Sequence, residues 1–486
     1  MGSAAAPRRP HVHFTAPQGW LNDPNGLVYD QGTYHLCYQH HPEDTSWGPM
    51  HWGHATSTDL VGWRHEPLAL RPDHLGATFS GSAVVDRLGV AGLGVGALLA
   101  FYTHFVQDEP QSQGLASSTD GGRTWTPYAG NPVVLGREGV IDARDPKVLW
   151  FEAPGGGPGH WVMVLATGDH VTFLRSGDLL SWTETSTFGQ DRGAHGGHWE
   201  TPDLFELEVV GASERAWVLV VSVLGGAPAG GSGTQYFVGR FDGEVFAADE
   251  PEGQVRWVDH GGDFYAPQSW FGVPEGRRVW IAWMSNWSYG RTTPATTWRG
   301  VMTLPRELGL RRTQGGLQLV QQPVAELERH GRTLLEQQGV RLEAGTRWTP
   351  PVEGEALDVT VRLTLDGPGC LRIGVHEGST RVAYDGRRGE VVVERLLAGL
   401  EGASAEPQRV RLPACDLPER GGAEVELRIV VDTCSVEVFA DGGAVVLTDL
   451  VFPEHAGSGL TLVSDEAAAT ICSIVVRGLD VTQRER

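Results

Sequence analysis

The sequence predicts an all-β protein, a five-bladed β-propeller followed by a β-sandwich, and three observations carry that expectation. Short runs of alternating apolar and polar residues, broken by Gly, Asp and Asn, fill the chain, and no convincing amphipathic helix interrupts them. A turn recurs: Ser57-Thr58-Asp59 stands before Trp63, Ser118-Thr119-Asp120 before Trp125, and Ser176-Gly177-Asp178 before Trp182. A repeat of about 60 residues holds about four short strands, the content of one blade, and about 320 N-terminal residues hold about five such units. From about Val340 onward, runs such as Leu357–Leu363 and Glu424–Val431 recur at near-regular spacing, the pattern of a sandwich.

Later blades are less regular, with hairpin tips expected at Phe241-Asp242-Gly243 and Gln314-Gly315-Gly316. Between Gln321 and Gln338 the composition turns charged with scattered leucines, which reads as a short helix or an extended connection. The expected division is residues 1–320 for the propeller, 321–339 for a linker and 340–486 for the sandwich. A chain of 486 residues is too long for one ordinary core, in keeping with that division.

Composition excludes several classes of partner. A formal net charge of −22 argues against nucleic acid and against an anionic membrane surface, and leaves a neutral substrate unaffected. Tryptophan is abundant at 17 residues; its flat ring with one N–H donor suits sugar faces as well as cores. Lys147 is the only lysine, all other cations being arginine. The five cysteines (Cys37, Cys370, Cys415, Cys434, Cys472) are widely spaced and form no metal-ligand grouping, so buried thiols are expected, with one bridge in the second half left open. Residues 1–10 lack an apolar h-region and read as no signal peptide as written; secretion is expected only if a leader has been replaced, and the cytoplasm otherwise. The apolar run Val90–Phe101 is well short of the ~20 residues a membrane span needs. Oligomeric state is open.

The stretch that organises the chain is Trp20-Leu21-Asn22-Asp23-Pro24-Asn25-Gly26. Asn25-Gly26 tolerates positive φ and marks a turn, and Pro24 stiffens the chain just after Asp23, so its carboxylate is expected at a strand end rather than in mid-ladder. Taken singly it is an ordinary turn, as Arg144-Asp145-Pro146 is an ordinary ion pair and Trp199-Glu200-Thr201-Pro202-Asp203 an ordinary strand edge. In this order the three stretches resemble the signature of the glycoside hydrolase family of invertases, levanases and exo-inulinases, and the resemblance extends over essentially the whole chain. The C-terminal Ser435–Gly443 is similar to the end of that family's sandwich, and the family's five-bladed propeller agrees with the blade count from spacing.

The resemblance implies roles. Asp23 would be the nucleophile, Glu200 the general acid/base, and Asp145 the group that binds sugar hydroxyls as oxocarbenium character develops. Such a retaining pair stands about 5–5.5 Å apart, and its acid must hold a proton at working pH. Thr201 departs from the family, where many members carry Cys. The resemblance also implies a substrate pocket holding Asn22, Gln39, Trp47, Phe79, Ser80, Arg144, Tyr265 and Trp298. Trp283 is as well suited to the core. The two histidines of Trp47–His54 lack a third ligand, so no metal is expected, and no organic cofactor. Asn286-Trp287-Ser288 is a glycosylation sequon.

Gly225–Gly239 looks like the exo-inulinase and levanase branch. The expected activity is retaining exo-β-fructosidase action on fructans (inulin or levan), with sucrose also cleaved. The alternatives are an invertase or a sucrose-6-phosphate hydrolase, the latter without an evident basic cluster, and fructosyl transfer through the same intermediate. A different class, a fructan-binding propeller that has lost catalysis, would be expected to lack one of the three carboxylates.

Overall fold

The computed structural model describes residues 8–137, 139–395, 400–413, 424–453 and 459–481. Cys415 lies outside them. Among the described residues there is no α-helix, only strands and short 3-10 turns, and no helix is long and apolar enough to cross a membrane.

Five sheets, antiparallel apart from one short edge pairing in the first, follow one another along the first two thirds of the chain. Their innermost strands are Gly19–Asp30, Ala77–Asp86, Ala143–Phe151, Trp199–Glu208 and Tyr265–Ser269. Each touches the next, and the fifth touches the first, so the ring closes. Closure is reinforced by backbone pairing: Trp298–Arg299, an excursion from the fifth blade, lies parallel to Gly19–Trp20 in the first sheet. Phe271 N donates to Leu27 O at 3.0 Å, and Tyr29 N to Phe271 O at 2.9 Å.

The repeated turn has one structural meaning. All five recurring tips join the third and fourth strands of their blades. In the first three, a Ser hydroxyl donates to the Asp carboxylate two residues on, and that carboxylate accepts two following backbone N–H groups, such as those of Val61 and Gly62 on Asp59. Asp242 in the fourth blade accepts from Glu244 and Val245 in the same way. The side chain thus mimics a backbone turn, which is why Asp recurs there.

The C-terminal domain is two six-stranded sheets packed face to face. Leu363, Ile373, Leu427, Val438, Leu447 and Ile471 belong to the core between them. Alternation along the strands sends the neighbouring residues Val430, Phe439 and Val446 the other way, into the propeller core beside Trp20 and Trp270. The passage expected as a linker is divided otherwise. Gly316–Pro323 is the last strand of the fifth blade, Ala325–His330 a 3-10 turn, and Gly331–Leu342 an edge strand of the sandwich. Its polar composition belongs to an edge strand with mostly exposed side chains, which charges protect from further pairing.

A buried ionic network ties the domains. His13 places Nδ1 at 2.8 Å from Asp432 Oδ2 and Nε2 at 2.8 Å from Glu437 Oε1. Arg306 reaches Glu437 at 2.6 Å and Asp259 at 3.2 Å. Burial alone would lower the His13 pKa, but the hydrogen bonds and charges of the two carboxylates outweigh it and raise it to about 9. Cys37, Cys370 and Cys434 are buried free thiols; Cys472 is free and partly exposed.

Candidate active site

Every innermost strand is broken by a β-bulge, in which two of its residues face one on the neighbouring strand. The bulged pairs are Asn22-Asp23, Phe79-Ser80, Asp145-Pro146, Thr201-Pro202 and Ala266-Pro267; Arg144, Glu200 and Tyr265 are the last paired residues before theirs. Proline supplies no ladder N–H, so Pro24, Pro146, Pro202 and Pro267 favour the interruption in four blades. In the second blade Gly81 does so, because a Cβ there would stand 1.9 Å from Phe101 O. Asp145, Thr201 and Ala266 hold left-handed φ values of 63°, 47° and 54°, strain that the surrounding ladder sustains. A bulge re-aims side chains, and five in register turn residues from five blades toward one another.

Asp23 is buried. Its Oδ2 accepts from the Ser80 hydroxyl at 2.7 Å and its Oδ1 from Asn22 Nδ2 at 3.0 Å, while Asn22 is held by Trp20 Nε1 at 2.6 Å. Asp145 Oδ2 accepts from the Thr201 backbone N–H at 2.8 Å, and its own N–H donates to Thr103 Oγ1 at 3.0 Å. Both oxygens of Glu200 are held: Arg144 Nη2 donates to Oε1 at 2.8 Å and the Tyr265 hydroxyl to Oε2 at 2.5 Å. Arg144 also pairs with Asp142, which lies 3.2 Å from the His198 ring.

Burial and the neighbouring Glu200 raise the Asp23 carboxyl to about 6 against the donors that favour its charge. Asp145 rises to about 7, through burial first; Arg144 pulls down while Glu200 and Asp23 push up. Burial and Glu200 push the Tyr265 hydroxyl well up, so it stays a donor. An acidic cluster with split environments is what acid–base and nucleophilic chemistry at one bond requires.

The remaining expected residues divide. Gln39 is buried, its Nε2 donating to Thr78 O at 3.1 Å beside the second bulge. Trp47 meets the Phe79 ring edge-on at 5.8 Å, bringing a first-blade loop over the second bulge. Trp298 is placed otherwise than expected: its ring packs with Met284, Val301, Cys434 and Leu450 toward the sandwich, below the Arg9 guanidinium at 5.0 Å. Its backbone pairs with Gly19, so the segment serves ring closure.

Two residues were not anticipated. Trp287 lies 6.4 Å from the Tyr265 ring and 6.3 Å from that of Trp20, and the Arg291 guanidinium lies between Trp287 and Trp47, at 5.4 and 5.2 Å from their centroids. Arg291 therefore spans from the Tyr265 side to the Phe79 side. The only sign of this segment in the sequence was its sequon, and Asn286 is no acceptor in the fold. It is buried, with Nδ2 donating to Gly230, Ser232 and Gly262 carbonyls, and so pins the glycine-rich loop. The Thr201 hydroxyl turns to Ser222 at 3.1 Å.

A closed five-bladed ring with buried acidic groups at one end, joined to a sandwich, is the class of the propeller glycoside hydrolases. The model of the glycosyl hydrolases family 32 N-terminal domain matches residues 13–323, and that of the family 32 C terminal matches 324–478. The chain belongs to glycosyl hydrolase family 32 and is an enzyme of that family. It is 43% identical to a levanase of Bacillus subtilis over 97% of this chain and 70% of the relative. It is 34% identical to an extracellular exo-inulinase of Aspergillus ficuum, over 98% and 95% of the two chains. The crystal structure of exo-inulinase from Aspergillus awamori superposes with a TM-score of 0.88 at 31% identity, over 99% of this chain and 100% of that one.

Proposed function

We propose that the chain is a retaining exo-β-fructosidase that releases fructose from the ends of inulin or levan and also cleaves sucrose. The observation that carries this reading is that Asp23 and Glu200, from different blades, stand near enough for the Glu200 charge to raise the Asp23 carboxyl, with the oxygens of each held by named donors. The levanase and exo-inulinase names of the relatives support the substrate class.

In this reading Glu200 gives its proton to the leaving oxygen as Asp23 attacks the anomeric carbon and forms a glycosyl ester. Water then attacks that carbon, Glu200 takes the water proton, and Asp23 leaves. Asp145, fixed by the Thr201 N–H, accepts from sugar hydroxyls, and those bonds strengthen as the ring becomes cationic. Arg291, bridging Trp47 and Trp287, ties the Phe79 side to the Tyr265 side, which supports action from the chain end.

The test is a time course of products from sucrose, inulin and levan, each incubated separately. Fructose as the sole product of the polymers from the earliest points is the expected result, and the relative rates rank the linkages. Oligosaccharides appearing first would replace exo by endo action, and turnover of sucrose alone would make the chain an invertase. Binding without release from any of the three would overturn the reading.

A further inference from the structure

Beneath the carboxylates, the third, fourth and fifth innermost strands repeat their own arrangement one layer down. Arg144, Glu200 and Tyr265 are the last paired residues before their bulges; Lys147, Asp203 and Gln268 are the first paired residues after them. In each layer a cation of the third blade, a carboxylate of the fourth and a polar group of the fifth come together. Above, Arg144 and Tyr265 hold Glu200. Below, Lys147 Nζ lies 3.1 Å from Asp203 Oδ1 and donates to Gln268 Oε1 at 3.3 Å and to Ser269 O at 2.8 Å.

The lower layer grips the bulges themselves. Gln268 Nε2 donates to the carbonyls of Thr201 and Pro202, at 3.1 and 3.0 Å, the two bulged residues that follow Glu200. Ser269 N donates to Asp203 Oδ2 at 2.7 Å, which locks the fifth strand to the fourth. All of these side chains are buried. Lys147 is the single lysine of a chain whose other cations are all arginine. A compact ammonium can point at oxygens converging from two strands, whereas a planar guanidinium fork needs more room and a flat partner.

We propose that Lys147 is a positioning residue for the reaction: through Asp203, Gln268 and Ser269 it sets the spacing of the third, fourth and fifth bulges, and so the placement of the Glu200 carboxyl against Asp23. The proposal rests on the reading of Glu200 as proton donor and Asp23 as nucleophile. It goes beyond that reading by assigning work to a group that touches no substrate.

The test uses the full chain with Lys147→Met/Asp203→Asn, which leaves no orphaned charge, and Lys147→Arg, which keeps the charge in a wider group. kcat and KM are measured on sucrose and on 4-nitrophenyl β-fructofuranoside, whose leaving group needs little protonation, alongside cooperative thermal unfolding. The expected result for each folded variant is a fall in kcat on sucrose of about 10- to 100-fold, the scale of a small misplacement. KM should stay within about threefold, and the loss on the activated fructoside should be clearly smaller. A purely structural role would lower the melting temperature and reduce both substrates equally, and that outcome overturns the proposal. So does wild-type kcat on sucrose in either variant. No fructose release from either substrate by the parent chain would overturn the functional reading, and this proposal with it.

Discussion

The Tyr265 hydroxyl donates to Glu200 Oε2 at 2.5 Å, across the seam between the fourth and fifth blades. With Arg144 on Oε1, it leaves the carboxyl no freedom to rotate. Tyr265→Phe keeps the ring against Trp283 and Trp287 and removes only the donor. The expected effect is a kcat lower by about 10- to 100-fold on sucrose with KM little changed, the usual scale for a misplaced general acid. Steady-state kinetics on sucrose check it; a changed KM with kcat intact would place Tyr265 in binding alone.

As the proposed nucleophile Asp23 would have to be ionised to attack, and its carboxyl is raised to about 6, by burial first and then by Glu200. kcat/KM is therefore expected to fall as the pH drops through about 6, with the apparent midpoint belonging to the coupled acidic cluster. A pH–rate profile reads it directly, and a profile flat down to pH 4.5 would contradict the burial argument.

The same shift acts on stability. A folded-state pKa above that of an unfolded aspartate means that the fold binds the proton more tightly. Stability from this group is complete below about pH 3.8 and is lost as the pH rises through about 6. At pH 7 the ionised Asp23 works against the fold, and Asp23→Asn is expected to abolish turnover while stabilising by about 1–3 kcal/mol. The gain should shrink as the pH falls toward 4. Thermal melts of both proteins at pH 7 and pH 4.5 test the sign.

Arg291 lies over the Trp47 and Trp287 rings, which in turn meet Phe79 and Tyr265. Each cation–π contact of this kind is worth about 0.5–1 kcal/mol. Arg291→Ala should free the two indoles and raise KM for sucrose several-fold with kcat kept within about twofold, because the guanidinium's contacts are with the indoles that it holds. A loss confined to kcat would put Arg291 in the chemistry.

His13 is charged between Asp432 and Glu437, with a pKa raised to about 9 against the opposing effect of burial. Its contribution is complete below about pH 6.5 and is lost as the pH rises through 9. His13→Gln leaves two buried carboxylates short of a cation, which costs about 3–5 kcal/mol at pH 6. Denaturant titrations at pH 6 and 9.5 should show that difference shrinking at the higher pH.

The parts of the molecule legible in the sequence are those written within one strand or turn. The Ser-x-Asp turn repeats because a side chain replaces a backbone partner locally, so Asp59, Asp120 and Asp178 marked the blades. Pro24 announced a break at Asp23, because a residue without an N–H cannot continue the ladder, but the break is a bulge inside Gly19–Asp30 and not the expected strand end. Trp298 was misplaced because its partners, Cys434 and Leu450, lie in the other domain. Residues 331–339 of the strand Gly331–Leu342 read as linker because an edge strand with exposed side chains carries little apolar alternation. The layer of Lys147, Asp203 and Gln268 was invisible because it exists only once three distant strands share one ring.

The burial of Lys147 has a consequence for the outside of the molecule. It is the only side-chain amine in 486 residues, and it sits under the floor of the site. Reducing sugars condense with exposed ε-amines and, over time, brown and cross-link the proteins that carry them. An enzyme read here as releasing fructose, a reducing ketose, presents no lysine to its own product, so glycation of its side-chain amines has nowhere on the surface to begin.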